Sequence, residues 1–140
     1  MKIKILLMSI ILSFFSNHVF AKSEYFQEGM NLFKEKKYED AKFKFEQDIV
    51  FNPKNEQSYL YLSKIFNMQD KKKLEEQNLK TVMLLNPRNE EAIYHLAKLK
   101  LKKSDYKKSK ELNKRLKSIC SNFCNKSDKL KVEIENLSKK

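Results

Sequence analysis

Asn52-Pro53-Lys54-Asn55-Glu56 returns as Asn86-Pro87-Arg88-Asn89-Glu90, 34 residues further along the chain. A fixed period of that length marks an array of helix hairpins, each burying its apolar face only against its neighbours. Pro53 stops the helix before it, because it disfavours helical geometry in the preceding residue and has no amide to donate. Asn55 can cap the next helix, and Glu56 falls in that helix's first turn, where a carboxylate suits the dipole. The quoted stretch is therefore the joint between two hairpins.

Working back from Pro53, residues 22–55 form the first block. Tyr25, Gly29 and Leu32 fall at i, i+4 and i+7, one stripe of a first helix. Tyr38, Ala41, Phe45 and Ile49 fall at i, i+3, i+7 and i+11, one stripe of a second, with the turn at Lys36-Lys37. Gly29 and Ala41 let two helices approach closely while the aromatics fill the crevices beside them. The order Tyr25, Gly29, Leu32, Ala41, Phe45, Pro53 resembles the tetratricopeptide repeat. That resemblance implies a right-handed all-α solenoid whose first helices line a peptide-binding groove.

Residues 56–89 repeat the pattern with Tyr59, Leu62, Ser63, Phe66, Leu79, Val82 and Pro87. They depart from it at Lys72, in the place of Tyr38, and at Glu75, in the place of Ala41. A carboxylate at a close helix contact must reach solvent or find a partner. Residues 90–121 offer Ile93, Leu96, Ala97, Tyr106, Ser109, Leu112, Leu116 and Ile119, with no closing proline. Leu130, Ile134 and Leu137 then mark a helix within residues 122–140, capped by Ser127 or Asp128, that covers the last hairpin. The expected architecture is three tetratricopeptide-like hairpins and a C-terminal capping helix.

The first 21 residues read differently. Lys2 and Lys4 precede an 11-residue apolar run from Ile5 to Phe15, and Val19 and Ala21 stand where a signal peptidase reads small residues. Such a run spans only about 16 Å as a helix, against a bilayer core near 30 Å. This favours a cleaved secretory signal, residues 1–21, over a retained transmembrane anchor. The expected location is the periplasm or the exterior of a bacterial cell.

A single glycine and two prolines in 140 residues argue for nearly continuous helix. The formal charge is +12, and removal of Lys2 and Lys4 leaves +10. Residues 22–56 are near neutral, with 7 basic and 8 acidic side chains, whereas residues 90–117 carry 10 basic and 4 acidic. All the basic residues except Arg88 and Arg115 are lysine, whereas bidentate readers of bases and phosphates are typically arginines. Lys107, Lys110, Lys114 and Lys117 form one stripe of the last second helix. It is either a solvated surface or a patch for an anionic polymer or membrane; sequence-specific nucleic-acid binding is not expected.

Catalysis has little to stand on. Beyond residue 21 the chain holds one histidine, His95, no tryptophan, no glycine-rich phosphate loop and no clustered metal ligands. No cofactor, metal or enzymatic role is expected. Cys120 and Cys124 are the only cysteines, and in an exported chain a structural disulfide is the expected use. That bond requires the helix to end between them, for which a left-handed Asn122 is a candidate.

First helices carry a second apolar stripe beside the core stripe. Phe26, Met30 and Phe33 lie at i, i+4 and i+7; Leu60, Lys64 and Met68 correspond in the second block, and Tyr94, Lys98, Leu101 and Lys102 in the third. Such a groove suits an extended or helical peptide with an acidic end, unless the stripe simply packs on the next hairpin. The family's carboxylate-clamp groups are not matched, since Phe26, Met30 and Tyr61 stand in their places. The chain is thus expected to be a non-catalytic envelope scaffold or adaptor whose groove residues are Phe26, Met30, Phe33, Leu60, Lys64, Tyr94, Lys98 and Lys102.

Overall fold

The computed structural model describes residues 23–139. Within them seven helices succeed one another without a strand: α1 Glu24–Lys34, α2 Tyr38–Phe51, α3 Glu56–Met68, α4 Lys72–Leu85, α5 Glu90–Lys102, α6 Tyr106–Ile119 and α7 Cys124–Leu137. Helices pair as α1/α2, α3/α4 and α5/α6, and each hairpin packs on the next, with α7 lying on α6 and touching α5. This is an all-α solenoid of three hairpins and a terminal helix. None of the described helices is long and apolar enough to cross a membrane. The expected signal segment, residues 1–21, lies outside the described residues.

The 34-residue period extends to backbone detail. Lys36, Asp70 and Ser104 each adopt positive φ, at 62°, 51° and 58°. At each, the last helical carbonyls are closed by the same two bonds: Lys37 N–H to Leu32 and Lys36 N–H to Phe33, then Lys71 to Phe66 and Asp70 to Asn67, then Asp105 to Lys100 and Ser104 to Leu101. That is a Schellman turn, which usually carries glycine at the left-handed position. Three non-glycine residues hold it here, because hairpin packing fixes the turn.

The joints between hairpins are held by carboxylates. Asp48, fully buried, accepts from the Asn52 and Asn55 amides at 3.1 and 2.6 Å and from the Ser58 hydroxyl, which fixes the first Asn-Pro joint. Glu56 accepts from the Asn86 and Asn89 side chains at 3.0 and 3.4 Å, tying α3 to the second joint. Asn55 and Asn89 cap α3 and α5 through the amides of Gln57 and Ala92, as the sequence predicts for Asn55. The third joint has no proline. There Glu90 accepts from the backbone of Ser121, Asn122 and Phe123 at 2.8, 3.0 and 2.8 Å, and from the Ser121 hydroxyl at 2.8 Å.

Cys120 and Cys124 are joined by a disulfide, with Cα atoms 5.3 Å apart. The helix ends as expected between them, but by a different device. Cys120 itself turns to extended backbone at φ −66°, ψ 143°, and Asn122 is not left-handed. The expected cap for the last helix is also corrected. α7 begins at Cys124, so Ser127 sits inside it, buried, exchanging hydrogen bonds with Asn113 of α6: Asn113 Nδ2 donates to the Ser127 carbonyl at 3.0 Å, and the Ser127 hydroxyl donates to Asn113 Oδ1 at 3.0 Å. A polar pair between helices outcompetes local capping because both partners would otherwise be buried unsatisfied.

The core divides at α3. Leu62, Ile65 and Phe66 face the first hairpin with Phe26, Ala41 and Phe45, whereas Leu60 joins the larger cluster that runs through Leu79, Ile93 and Leu116 to Ile134. The single glycine is required where it stands: a Cβ on Gly29 would lie 2.8 Å from the Phe45 ring.

Candidate functional site

The expected groove residues meet three different fates. Phe26 is 5% exposed and packs on Phe45 and Tyr61, with ring centroids 5.8 and 6.2 Å away. Leu60 is 2% exposed, inside the larger core. Neither can present a surface to a partner, which corrects the sequence expectation for both. The reason is the approach of successive first helices: Tyr61 of α3 reaches back between Phe26, Phe33 and Phe45 and draws the first hairpin's extra stripe inward.

Met30, Phe33 and Tyr94 are half-buried at the edge of that packing. Tyr94 stands against Phe123 at 5.6 Å and under the Lys126 ammonium. The lysines are spoken for as well. Lys64 lies over the Tyr61 ring and pairs with Glu91 of α5 at 2.8 Å, and Lys98 pairs with Glu133 of α7 at 3.0 Å. These bridges tie α3 to α5 and α5 to α7. Among the described residues Lys102, alone of the three groove lysines, is exposed and makes no ion pair.

The first-helix face holds a cavity of about 170 Å³ lined by Phe33, Ser63, Lys64, Asn67, Met68, Glu75 and His95. Its sides come from α1, α3 and α5, and Glu75 of α4 reaches it from behind. Glu75 is 3% exposed, and its Oε1 accepts from Asn67 Nδ2 at 2.9 Å. Burial pushes its carboxyl above the ordinary 4.5, opposed by the Asn67 bond and by the charges of Lys102 and His95. On the rim His95 and Lys64, 3.7 and 2.8 Å from Glu91, hold that carboxyl at about 2. Sequence reasoning named Phe33, Lys64 and Met68 on this face. It missed that Asn67, Glu75 and His95 converge there, since they come from three helices and share no period.

A second concavity, about 300 Å³, opens between α6 and α7. Lys110, Lys114 and Lys117 of the expected basic stripe line it with Lys131, while Lys107 is exposed and does not line it. Asp128 and Glu135 share its rim, and Lys117 pairs with Asp128 at 2.7 Å. The patch is therefore of mixed sign. Among the described residues no group of three His, Cys, Asp or Glu is placed to hold a metal ion.

No family model matches the sequence, and no curated protein matches it. Solved structures do. The chain is similar to the Yersinia enterocolitica type III secretion chaperone SycD in complex with a peptide of the translocator YopD, with 17% identity over 84% of this chain and 93% of that one and a TM-score of 0.73. It is similar to the first TPR of Spaghetti (RPAP3) bound to the HSP90 peptide SRMEEVD, with 16% identity, coverage of 83% and 91% and a TM-score of 0.74. The TPR2B domain of yeast Sti1, in a complex with Hsp70, gives 13% identity, coverage of 81% and 95% and a TM-score of 0.75. At these identities the likeness establishes the fold, and the fold is that of the tetratricopeptide repeat.

Proposed function

We propose that this chain is a non-catalytic adaptor that holds a peptide segment of a partner protein against the face of α1, α3 and α5, in a bacterial cell envelope. The observation that carries this is the cavity over Glu75, where apolar and polar side chains from four helices meet around open space. Peptide complexes of the structural neighbours support it, since SycD is seen with a YopD peptide and the Spaghetti domain with an HSP90 peptide. The envelope location is supported by the signal-like residues 1–21 and by the Cys120–Cys124 disulfide, a bond that persists in oxidising compartments. Docking of an anionic polymer or membrane on Lys107, Lys110, Lys114 and Lys117 is the competing role. The acidic groups among those lysines weigh against it.

Selection of peptides on the oxidised chain of residues 22–140 provides the test. Met68→Asp with Lys64→Ala should weaken the selected peptides at least about tenfold, the loss of one interface anchor. Charge reversal at the four lysines should leave affinity within about twofold, and raising salt should matter little. The reverse pattern would establish the polyanion or membrane role instead. Protein recovered from the host envelope is expected to begin at Lys22 with no alkylatable thiol. An intact Met1 on membrane-anchored material would overturn the location.

A further inference from the structure

The place of Glu75 is taken by Ala41 in the first hairpin and Ser109 in the third, both fully buried. A carboxylate there is costly unless something compensates it. Within the chain the compensation is half complete. Asn67 donates to Oε1, no protein donor reaches the other oxygen among the described residues, and no cation lies within ion-pair distance. The nearby lysines are committed elsewhere: Lys64 to Glu91, Lys98 to Glu133, Lys100 and Lys103 to Glu76. His95 and Lys102 act on Glu75 only as more distant charges, and Asp70 opposes them. Asp70 is itself paired with Lys72 at 3.5 Å, so the carboxylates nearest the cavity are Glu75 and Glu91, and Lys64 is spent on Glu91.

We propose that this cavity is a subsite for a primary ammonium on an aliphatic stem, the side chain of a lysine in a bound peptide; it deepens the peptide-binding role proposed above and rests on it. The ammonium has three donors and no acceptor. Residues that line the space offer three acceptors: the unpaired oxygen of Glu75, Oδ1 of Asn67, whose Nδ2 is already used on Glu75, and the Ser63 hydroxyl oxygen, whose proton goes to the Leu60 carbonyl at 2.7 Å. Phe33 and Met68 supply apolar walls for the methylene stem, and 170 Å³ exceeds several times the roughly 30 Å³ of one water. A divalent cation is not suited, since only one carboxylate reaches the space, and an anion would meet Glu75 directly.

The test uses the oxidised, ¹⁵N-labelled chain of residues 22–140 with N-acetyl-lysine N-methylamide as probe and its Nζ-acetylated form as control. Saturable shifts of the Ser63, Asn67, Met68 and His95 amides are expected with a dissociation constant on the order of 1 mM. Affinity should fall at least about tenfold for the acetylated probe and for Glu75→Gln. Glu75→Ala, the residue the first hairpin already holds, is the second variant, and both are checked for unchanged helical content. Equal affinity for Glu75→Gln, or no shift at these amides, would overturn the subsite. Probe binding without any selected peptide would sink the adaptor role while leaving the subsite standing. Selected peptides that bind Glu75→Gln as tightly as the parent would remove the subsite alone.

Discussion

At the scale of single residues, size is traded between facing positions. Gly29 stands opposite the full ring of Phe45, and the equivalent positions of the second hairpin hold Ser63 and Leu79. Alanine at position 29 gains about 1 kcal/mol of helix propensity but forces a methyl to 2.8 Å from an immobile aromatic ring, an overpacking that costs about 1–3 kcal/mol. Gly29→Ala should therefore lower stability by up to about 2 kcal/mol, read from the denaturant midpoint. Adding Phe45→Leu should recover part of the loss, as the smaller side chain makes room. Independent, additive effects of the two changes would show that this contact does not limit the hairpin.

At the scale of elements, the third joint shows what replaces a proline. Asn52-Pro53 and Asn86-Pro87 are stiff by covalent structure, whereas residues 120–123 are held by the disulfide and by Glu90. The amides of Ser121 and Phe123, with the Ser121 hydroxyl and the Asn122 amide, hold the Glu90 carboxyl at about 2, below its ordinary 4.5. A lowered folded value means that this support is complete above about pH 4.5 and is lost as pH falls towards 2. Glu90→Gln should therefore speed amide exchange at Ser121, Asn122 and Phe123 at neutral pH, on the order of tenfold, with α1 to α4 unaffected. Unchanged exchange would assign the loop's order to the disulfide alone.

For the whole molecule, the carboxylates pull the pH profile in opposite directions. Lys100, Lys80 and Lys103 hold Glu76 at about 2, so the bridge from α4 to α5 weakens only in acid. Glu75 is shifted the other way: its folded form keeps its proton to higher pH than the unfolded chain does. The unfolded state then binds fewer protons, and stability falls as pH rises from about 4.5 through the raised folded value. Glu75→Gln should abolish that decline, so that the variant's advantage over the parent grows between pH 4.5 and 8 in thermal unfolding. A constant difference across that range would mean that Glu75 ionises in the fold as freely as in the unfolded chain.

The hairpin count, the helix stripes and the Asn-Pro joints were legible in the sequence, because they repeat every 34 residues and depend on local chemistry: proline's missing donor, asparagine's capping, the spacing of apolar side chains. The disulfide was expected from reading the chain as exported, with two cysteines leaving one intramolecular pairing. Which apolar residues are available to a partner was not. Phe26 and Leu60 share a face with Met30 and Lys64, yet Tyr61 closes over the first and the second hairpin's core takes the second. That outcome depends on how far successive first helices approach, which no single helix encodes. Glu75 stood out in the sequence as a carboxylate in an alanine's place. Only the packing of four helices gave it Asn67 as a partner and an open cavity before its other oxygen, because burial and charge are sums over neighbours distant in the chain.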